Sequence, residues 1–487
     1  MMPLLYILIL SCFLVGCNLT HLLNPTTSQS SQNTTDAYVD YFADNAFGNP
    51  LAIIQHPAGV HVNGVTYVSY QGPNTHPLVA AYHHKKQSWF GPVQAGFSDL
   101  ATVFQTRGKI DSHGKPTLLI DDLGYIHIFY GGHGAGAKYG KNKYGGGGLG
   151  RNKHAISKRP YDISEWENLD NVSVFGTYNQ AIKMDNGDIY LIYRHGAHRS
   201  DWVYQKSTDH GRTFDPAVSI LKHKQRADIK ATDSWYIWAS KGQGSDIILS
   251  YDYHVCWLRN EGPKGLGHVT QRHDLYYMVL DTKTQQLRNI SNEQLPIPVT
   301  REIAEQKTLV ARTGDHWTFN GSATLDKQGN PHLAINIGEN LGKNTGGPKQ
   351  THYYYWTGKE WSQGQVINPT AKHTNTDTRG DFYINQQQLT FLLGYKDNDD
   401  GVIASFTRQP TNNADPTFIK EKELLRRAKA NWALTATIEN AHPDAQILVA
   451  EKQANSQLHK IYLVGANGPI PRKAAEARFN VNSSNQN

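Results

Sequence analysis

A short hairpin pattern recurs along this 487-residue chain at a nearly constant spacing, and no other feature limits the possible folds as strongly. Each copy consists of a tight polar turn followed by a strand of alternating apolar residues. The seven turns are centred on Gly64, Gly124, Gly187, Gly244, Gly329, Gln387 and Ala445. Most steps are about 60 residues long, and a regular period of short strands is typical of a propeller with one sheet per copy. The sequence therefore predicts an all-β fold, a seven-bladed β-propeller.

The composition favours many short strands, and the net charge indicates what kind of ligand the protein binds. The chain holds 26 Tyr and 43 Gly but only 4 Met, which favours strands and turns over long helices. Its formal net charge of +6 suits an anionic substrate, but the basic residues are dispersed and form no recognised nucleic-acid motif. We therefore expect an anionic ligand and no nucleic-acid partner.

The first residues indicate an export signal rather than part of the fold. Residues 4–15 are almost all apolar, the run is short for a transmembrane helix, and Leu14–Cys17 resembles a bacterial lipobox. The motif implies cleavage before Cys17 and a lipid on that cysteine. The alternative is a plain secretory signal, since no Lys or Arg precedes the apolar run. The predicted segments are a signal peptide (1–17), a flexible tether (18–37), one folded domain (38–470) and a C-terminal tail (471–487). The protein would be an outer-membrane or cell-surface lipoprotein, or secreted.

The second copy of the repeat places two histidines at one rim of its sheet. In the stretch from Asp111 to Gly134, His113 precedes the first strand of a hairpin and His133 follows the second. The two ends of an antiparallel hairpin lie side by side, so the two imidazoles should meet. Two groups that titrate near neutral pH form a candidate acid–base site, and the alternative is a pair of separate loop histidines.

Equivalent positions in the neighbouring copies add groups of complementary chemistry. The third copy supplies Tyr178 and Arg194, and the fourth supplies Asp233, Tyr236 and His254. These residue types suit β-elimination from a uronic acid, in which the carboxylate charge must be neutralised before the neighbouring proton can leave. Arg194 can neutralise that charge through a planar two-point contact. Histidine and tyrosine can then act as base and acid, in an order that the sequence leaves open.

The long step between the fourth and fifth copies contains a candidate metal site. His254 and Cys256 are two residues apart, so on a strand they face the same side, and His268 follows in the same insertion. Asp233 is the expected fourth ligand. This set of ligands favours zinc, in a structural role because no coordination position is left open. The alternative is a buried free cysteine, since Cys256 is the one cysteine outside the predicted signal.

Several longer runs together resemble the ulvan lyases of polysaccharide lyase family 25. These runs are DSHGKPTLLIDD, FYGGHGAG, GTYNQAIKMDNG, IYRHGAHRSDW, TDSWYIW and the HVCW…GLGH insertion. The resemblance covers nearly the whole mature chain and implies β-elimination on ulvan, a sulfated algal polymer of rhamnose and uronic acids, with 4,5-unsaturated uronyl ends as products. It implies these active-site positions: His113, His133, Tyr178, Arg194 and Tyr236. It also implies zinc ligands at His254, Cys256 and His268, to which we add Asp233.

Two other functions are indicated by parts of the sequence. Ser207–Phe214 (STDHGRTF) matches the Asp-box of sialidase-like propellers, which favours a glycoside hydrolase with a cluster of arginines in its cleft. Only Arg194 occupies such a position in the repeat. A non-catalytic, glycan-binding propeller is the second alternative. The lyase interpretation predicts ulvan as the partner, membrane anchoring through Cys17 and a monomeric chain.

Overall fold

In the part of the chain that the structure describes, mostly antiparallel strands follow one another and are accompanied by three short α-helices. The computed structural model describes these residues: 37–52, 54–258, 261–262, 271–341, 346–369, 379–385, 388–409, 417–430 and 432–478. The predicted signal peptide, nearly all of the tether and the last residues of the tail lie outside the described residues. Within the described ranges, no helix is long and apolar enough to cross a membrane.

The N-terminal elements comprise two strands that pair with the C-terminal end of the chain, a four-stranded meander and a helix. They are β1 (Tyr38–Val39), β2 (Ala43–Phe47), β3 (Gly59–Val62), β4 (Val65–Gln71), β5 (Pro77–His83), β6 (Ser88–Gln94) and α1 (Leu100–Arg107). Two four-stranded meanders come next. They are β7 (Thr117–Ile120), β8 (Ile126–Tyr130), β9 (Lys153–Arg159) and β10 (Asp162–Leu169), then β11 (Thr177–Lys183), β12 (Ile189–Arg194), β13 (Trp202–Ser207) and β14 (Val218–Leu221).

The middle of the chain contains the longest strands and the predicted insertion. Its elements are β15 (Lys224–Gln225), β16 (Ala231–Lys241), β17 (Asp246–Trp257), β18 (Gln271–Asp281), β19 (Gln286–Arg288), β20 (Gln294–Leu295), α2 (Arg301–Lys307) and β21 (Leu309–Ala311). Two further meanders follow. They are β22 (Trp317–Leu325), β23 (Pro331–Gly338), β24 (Lys349–Tyr355) and β25 (Gln365–Val366), then β26 (Arg379–Asn385), β27 (Gln388–Asp397), β28 (Asp400–Gln409) and β29 (Thr417–Arg427).

The C-terminal elements return to the start of the chain. They are β30 (Trp432–His442), β31 (Ala445–Lys452), β32 (Leu458–Gly465), β33 (Gly468–Pro469), β34 (Arg472–Lys473) and α3 (Ala474–Ala477). β2 pairs with β32, and β1 pairs with β34, so the two ends of the described chain are joined by hydrogen bonds.

The all-β prediction is confirmed, but the prediction of a seven-bladed propeller is wrong. Among the described strands, four sheets have the four-stranded form of a separate blade: β7–β10, β11–β14, β22–β25 and β26–β29. The remaining strands form a seven-stranded sheet, a nine-stranded sheet and a two-stranded sheet. The physical reason is strand pairing that a repeat count cannot show. β3 pairs in parallel with β30, which joins the first and last copies into one sheet, and β19–β21 extend the sheet of the fourth copy.

Five of the seven turns that define the repeat lie where the sequence places them. Of the other two, Gln387 lies outside the described residues, and Ala445 is the first residue of β31, directly after its turn. Gly64, Gly124, Gly187, Gly244 and Gly329 each lie in the turn between two paired strands, and all five have positive φ angles between 57° and 85°. Glycine is favoured there because side chains with a Cβ rarely adopt this left-handed conformation. The repeat is therefore a repeat of hairpins, although its copies do not each become a separate sheet.

The Asp-box motif is a turn that stabilises itself. It connects β13 with β14, and the Asp209 carboxylate accepts hydrogen bonds from the backbone N–H of Thr213 at 2.9 Å and from its hydroxyl at 2.6 Å. The Gly211 N–H donates to the Ser207 hydroxyl at 2.9 Å. These local bonds give the motif a structural role and do not support hydrolase chemistry.

The first strands of neighbouring copies pack side by side and position the candidate site. β7 contacts β11, and β11 contacts β16. Apolar side chains of β11 and β16 join a large core cluster that contains the fully buried Trp202 and Trp235, whereas those of β7 pack in two neighbouring clusters. The residues just before or at the start of these strands therefore converge at one end of the packed sheets, which we call the cleft.

Candidate active site

His113 and His133 stack on each other in the cleft. Their ring centroids are 3.7 Å apart and their planes differ by 13°. The loop before β7 is held to the end of β8 because the Gly131 N–H donates to the Gly114 carbonyl at 2.8 Å. The two oxygens of the buried Asp111 carboxylate each accept a hydrogen bond, one from each histidine Nδ1, at 2.6 Å. The structure thus brings together the two histidines of the hairpin.

The Asp111 carboxylate fixes the orientation and the tautomer of both rings. Burial opposes its charge, but hydrogen bonds from His113 and His133 outweigh burial and hold the pKa of this carboxyl well below its usual range. An ionised carboxylate only accepts hydrogen bonds, so each Nδ1 carries the proton. Burial lowers the pKa of His113 to about 4, although the bond to Asp111 acts in the opposite direction. At neutral pH His113 is therefore a neutral ring whose Nε2 can accept a proton.

Tyr178 lies opposite His113 on an irregular part of β11. The two ring centroids are 5.6 Å apart. The regular pairing of β11 with β12 is interrupted between Thr177 and Gln180, and Tyr178 has a φ angle of +62°. This left-handed conformation is rare for a bulky residue and is found mainly where function requires it. The strained backbone of β11 therefore sets the position of the phenol in the cleft.

Arg194 lies beside the rings of Tyr178 and Tyr236. Its guanidinium carbon is 4.8 Å from the centroid of the first ring and 5.4 Å from that of the second. Arg194 is fully buried, and its Nε donates only a long hydrogen bond of 3.4 Å to the Gly196 carbonyl. Its two terminal nitrogens have no hydrogen-bond partner among the described residues. A buried charge without a partner is unfavourable, and this planar fork matches a carboxylate.

Tyr236 is held by a second buried arginine, which the sequence did not indicate. Arg272 donates to the Tyr236 hydroxyl at 3.0 Å, and its guanidinium carbon is 4.2 Å from the centroid of that ring and 4.0 Å from the Phe319 ring. The Tyr236 hydroxyl also shares a hydrogen bond with Tyr178, and this bond favours the protonated form of the Tyr178 phenol.

The electrostatic surroundings keep Tyr178 protonated. Burial raises the pKa of the Tyr178 phenol and the neighbouring Tyr236 raises it further, while the positive charges of Arg194 and Arg272 only partly oppose this. A phenol that retains its proton at neutral pH can donate it to a leaving group. The cleft therefore combines a neutral imidazole that can accept a proton, a phenol that can donate one and an arginine that can bind an anion.

A second cluster, apart from the stacked histidines of the cleft, contains a thiol and two imidazoles that suit a zinc ion. The donor atoms of His198, His254 and Cys256 all lie within 4.8 Å of one another. Ligand atoms on a tetrahedral zinc ion are about 3–4 Å apart, so these side chains fit zinc after small movements. A thiolate with imidazoles is also a donor set that zinc favours. His198 comes from the loop after β12 and was not predicted, whereas the predicted ligand His268 lies outside the described residues.

The structure does not bring Asp233 to this cluster, and its assignment as a ligand is corrected. Asp233 is paired with Val255 across β16 and β17, so its side chain lies on the face of the sheet opposite to His254 and Cys256. Its carboxylate instead accepts a hydrogen bond of 2.5 Å from the Tyr253 hydroxyl. The prediction was wrong because the spacing of residues along one strand does not determine how the next strand is aligned with it. That alignment decides which face of the sheet each side chain occupies.

Comparison with known proteins decides the family. A sequence model of BNR repeat-containing family members matches residues 65–368. An ulvan lyase from Alteromonas sp. (strain LOR) is 53% identical over 463 residues, which cover 95% of this chain and 93% of that protein. An ulvan lyase of family 25 from Pseudoalteromonas sp. (strain PLSV) is 52% identical over 468 residues, covering 96% and 94%. The chain belongs to the ulvan lyases of polysaccharide lyase family 25.

A solved structure of a family 25 ulvan lyase supports the same assignment. It was determined with a bound -[GlcA(1-4)Rha3S]- oligosaccharide and is 53% identical in sequence, with a TM-score of 0.85. The match covers 91% of this chain and 100% of that one. The family that the motifs predicted is therefore confirmed, and the polysaccharide lyase class with it.

Three residues of the candidate sites in this ulvan lyase were not predicted from the sequence. Asp111 is two residues before His113, and the proximity of a carboxyl to a candidate base is a signal that could have identified it. Arg272 and His198 carry no comparable signal. Arg272 follows the long insertion and His198 lies in a loop, so the hairpin repeat does not predict where either residue lies in the fold.

Proposed function

We propose that this chain cleaves ulvan by β-elimination and leaves 4,5-unsaturated uronyl ends. The proposal depends on one observation, the buried guanidinium of Arg194 beside Tyr178. Its two terminal nitrogens lack a hydrogen-bond partner among the described residues. This arrangement fits the carboxylate of a uronic acid. The family membership gives the same reaction class, since the two curated relatives above are named ulvan lyases.

The sequence left open which of His113 and Tyr178 is the base and which is the acid. Their protonation states support one assignment of these roles. With the substrate carboxylate bound by Arg194, the C5 proton becomes acidic enough to remove. The Nε2 atom of His113 takes this proton, and the C4=C5 double bond forms as the C4–O4 bond breaks. The Tyr178 hydroxyl gives its proton to the departing O4. His113 is suited to the first step because it is neutral, and Tyr178 to the second because it retains its proton.

Neighbouring side chains hold His113 and Tyr178 in position and stabilise the charges that form on them. His133 shares the Asp111 carboxylate with His113 and stacks against it, which fixes the plane of the base. The positive charges of Arg194 and Arg272 stabilise the negative charge that develops on Tyr178 after proton transfer, and the hydrogen bond from Arg272 holds the Tyr236 ring beside it. Neither His133 nor Tyr236 needs to exchange a proton with the substrate in this scheme.

Ulvan depolymerisation followed by ultraviolet absorbance tests the proposal. The wild-type protein should produce the absorbance of unsaturated uronyl ends, and a Tyr178→Phe variant should lose it by about 10²–10⁴-fold while remaining folded. The absence of this absorbance, together with the appearance of saturated reducing ends, would show a hydrolase instead. Full depolymerisation by Tyr178→Phe would contradict the role of the phenol.

We propose that the His198, His254 and Cys256 cluster holds a structural zinc ion, with His268 as a further ligand. A zinc ion bound there would cross-link β17 to the loop after β12 and stabilise the region around the cleft. The short donor separations and the chemistry of the set support this assignment. Elemental analysis of the protein purified without added zinc should find one zinc ion per chain. Protein that contains much less zinc and is equally stable would contradict the proposal.

We also propose that the chain is exported and anchored by a lipid on Cys17, and that it acts as a monomer. The lipobox-like run Leu14–Cys17 supports the anchor. Mass spectrometry of the membrane-associated protein should show a lipid adduct at Cys17, and Cys17→Ser should release the protein from the membrane. A Cys17→Ser protein that stays membrane-bound would contradict the proposal. Light scattering of the soluble form should give the mass of one chain.

A further inference from the structure

The first strands of neighbouring copies pack side by side without pairing as one sheet. β7 and β11 are edge strands of their sheets, and the edge of β16 that faces away from β17 is paired only at Thr232 and Asp233. Buried backbone N–H and C=O groups along such edges need partners other than a neighbouring strand. Side chains supply some of these partners, and we call such a hydrogen-bonded link between two first strands a side-chain bridge. Two side-chain bridges involve Asn179 and Gln180, the residues that follow Tyr178.

The Gln180 side chain forms the bridge between β11 and β16. It is fully buried, its Nε2 donates to the Ile237 carbonyl at 2.7 Å, and its Oε1 accepts from the Ala239 N–H at 2.7 Å. The side-chain amide therefore pairs with the edge of β16 as the backbone of a neighbouring strand would. Gln180 lies two residues after Tyr178. On the other strand, Ile237 directly follows Tyr236. The bridge therefore fixes the spacing of the two tyrosine rings, whose centroids are 5.7 Å apart.

The Thr117 hydroxyl forms the bridge between β7 and β11. It is fully buried and donates to the Asn179 carbonyl at 2.8 Å. The Asn179 side chain is also held, because its Nδ2 donates to the Oδ1 of the buried Asn152 at 2.7 Å. The segment that follows Tyr178 is therefore fixed from both neighbouring strands, β7 and β16. Such fixation by the surroundings is what keeps a bulky residue at the unfavourable φ of +62°.

Side-chain bridges of the same kind join other first strands. The Ser240 hydroxyl of β16 donates to the Ala323 carbonyl of β22 at 2.8 Å. The Asp381 carboxylate of β26 accepts hydrogen bonds from the hydroxyls of Ser322 in β22 and Thr437 in β30. These groups are not adjacent in sequence to any residue of the candidate active site. They therefore provide matched controls for the two bridges of β11.

We propose that Thr117 and Gln180 are positioning residues for Tyr178, the acid of the proposed reaction. Both side chains are buried and bind backbone atoms, so they act by holding the β11 backbone rather than by touching the polymer. Removal of either bridge lets this backbone relax from the left-handed conformation and displaces the phenol from the departing O4. Displacement of a proton donor slows the chemical step, whereas binding of the carboxylate by Arg194 is unaffected. The inference rests on the proposed function, because it needs Tyr178 as the proton donor.

Two matched threonine substitutions test the proposal. Thr117→Val removes a bridge beside Tyr178, and the control Thr437→Val removes the bridge from β30 to the Asp381 carboxylate. Ulvan cleavage is followed by ultraviolet absorbance, kcat and KM are determined separately, and the melting temperature of each protein is measured. We expect Thr117→Val to lower kcat about 5- to 20-fold with KM within twofold of the wild type. The control should keep both constants within twofold, although it also loses a hydrogen bond.

Gln180→Met is the stronger perturbation, because it keeps the length of the side chain and removes both hydrogen bonds of the bridge. Its kcat should fall about 10- to 100-fold, again with KM within twofold. The same substitution is then made in the Tyr178→Phe protein, where no phenol is left to position. There it should change the remaining kcat by less than twofold, since a residue that acts only through Tyr178 has no effect in its absence.

Three results would overturn the proposal. They are a kcat within twofold of the wild type for both Thr117→Val and Gln180→Met, an equal loss of kcat in Thr437→Val, and an equal loss from Gln180→Met with and without the phenol. If Gln180→Met does not fold, the same comparisons made with Thr117→Val decide. Wild-type protein that forms no unsaturated ends from ulvan would contradict the proposed function instead.

Discussion

Replacement of Arg194 by methionine should abolish activity without weakening the fold. The side chain is fully buried, and its two terminal nitrogens lack hydrogen-bond partners among the described residues. A buried donor without a partner costs about 1–3 kcal/mol, which methionine of similar length removes. The variant loses cation–π contacts with Tyr178 and Tyr236 that contribute about 0.5–2 kcal/mol in total. We therefore expect the free energy of unfolding to stay level or rise by about 1 kcal/mol.

The same substitution should reduce kcat/KM about a thousandfold or more, because the neighbouring Arg272 already donates to Tyr236 and does not replace Arg194 as the partner of the substrate carboxylate. Urea unfolding followed by tryptophan fluorescence measures stability, and ultraviolet detection of unsaturated products measures activity. Arg472→Met is the matched control, since this buried arginine donates to the carbonyls of Phe42 and Gly91 at 3.0 and 2.6 Å. It should lose about 2–4 kcal/mol of stability and keep its turnover. Destabilisation of Arg194→Met to the same extent as the control would refute the reasoning.

Three further predictions concern the carboxylate, the metal and pH. Asp111→Asn should lower kcat about a hundredfold or more with little change in KM, because an amide cannot accept from both imidazoles and one ring must change tautomer; unchanged kcat would contradict this. His198→Ala should lose bound zinc and lower the melting temperature, whereas Asp233→Asn should retain zinc, as elemental analysis and calorimetry would show. Because the folded pKa of His113 is depressed from 6.5 to about 4, the unfolded chain binds its proton first as pH falls. Its contribution to stability is therefore present above pH 6.5 and is lost towards pH 4, and kcat/KM should fall on an acid limb near pH 4.

The sequence was most informative where a residue's position is determined by a hairpin. The turn glycines and the alternating strands placed His113 and His133 at one rim, and the repeat placed Tyr178 and Tyr236 in the adjacent copies. These positions depend only on local geometry, which a hairpin fixes within about twenty residues. The rings of Tyr178 and Tyr236 are 5.7 Å apart in the structure, so equivalent positions in neighbouring copies did converge.

Features that depend on pairing between distant parts of the chain were not predictable in the same way. The parallel pairing of β3 with β30 joins residues that are almost 400 positions apart in the sequence. No local sequence pattern predicts this pairing. The face on which Asp233 lies depends on its register with Val255 in the next strand, which spacing along one strand does not determine. Loop residues such as His198 have no periodicity to place them. The same limit applies to Arg272, whose contact with Tyr236 forms only when β18 pairs with β17, the strand that separates it from β16.

Cleavage of ulvan in ¹⁸O-labelled water, followed by mass spectrometry of the products, tests the central claim most directly. A β-elimination breaks the C4–O4 bond without adding water, so products that are reduced with borohydride after a brief incubation, before the anomeric oxygen exchanges with the solvent, should contain no ¹⁸O in the newly formed ends. The new non-reducing end should also be lighter by one water than its saturated counterpart. Incorporation of ¹⁸O at the cleaved linkage, with saturated ends, would identify hydrolysis and contradict the account.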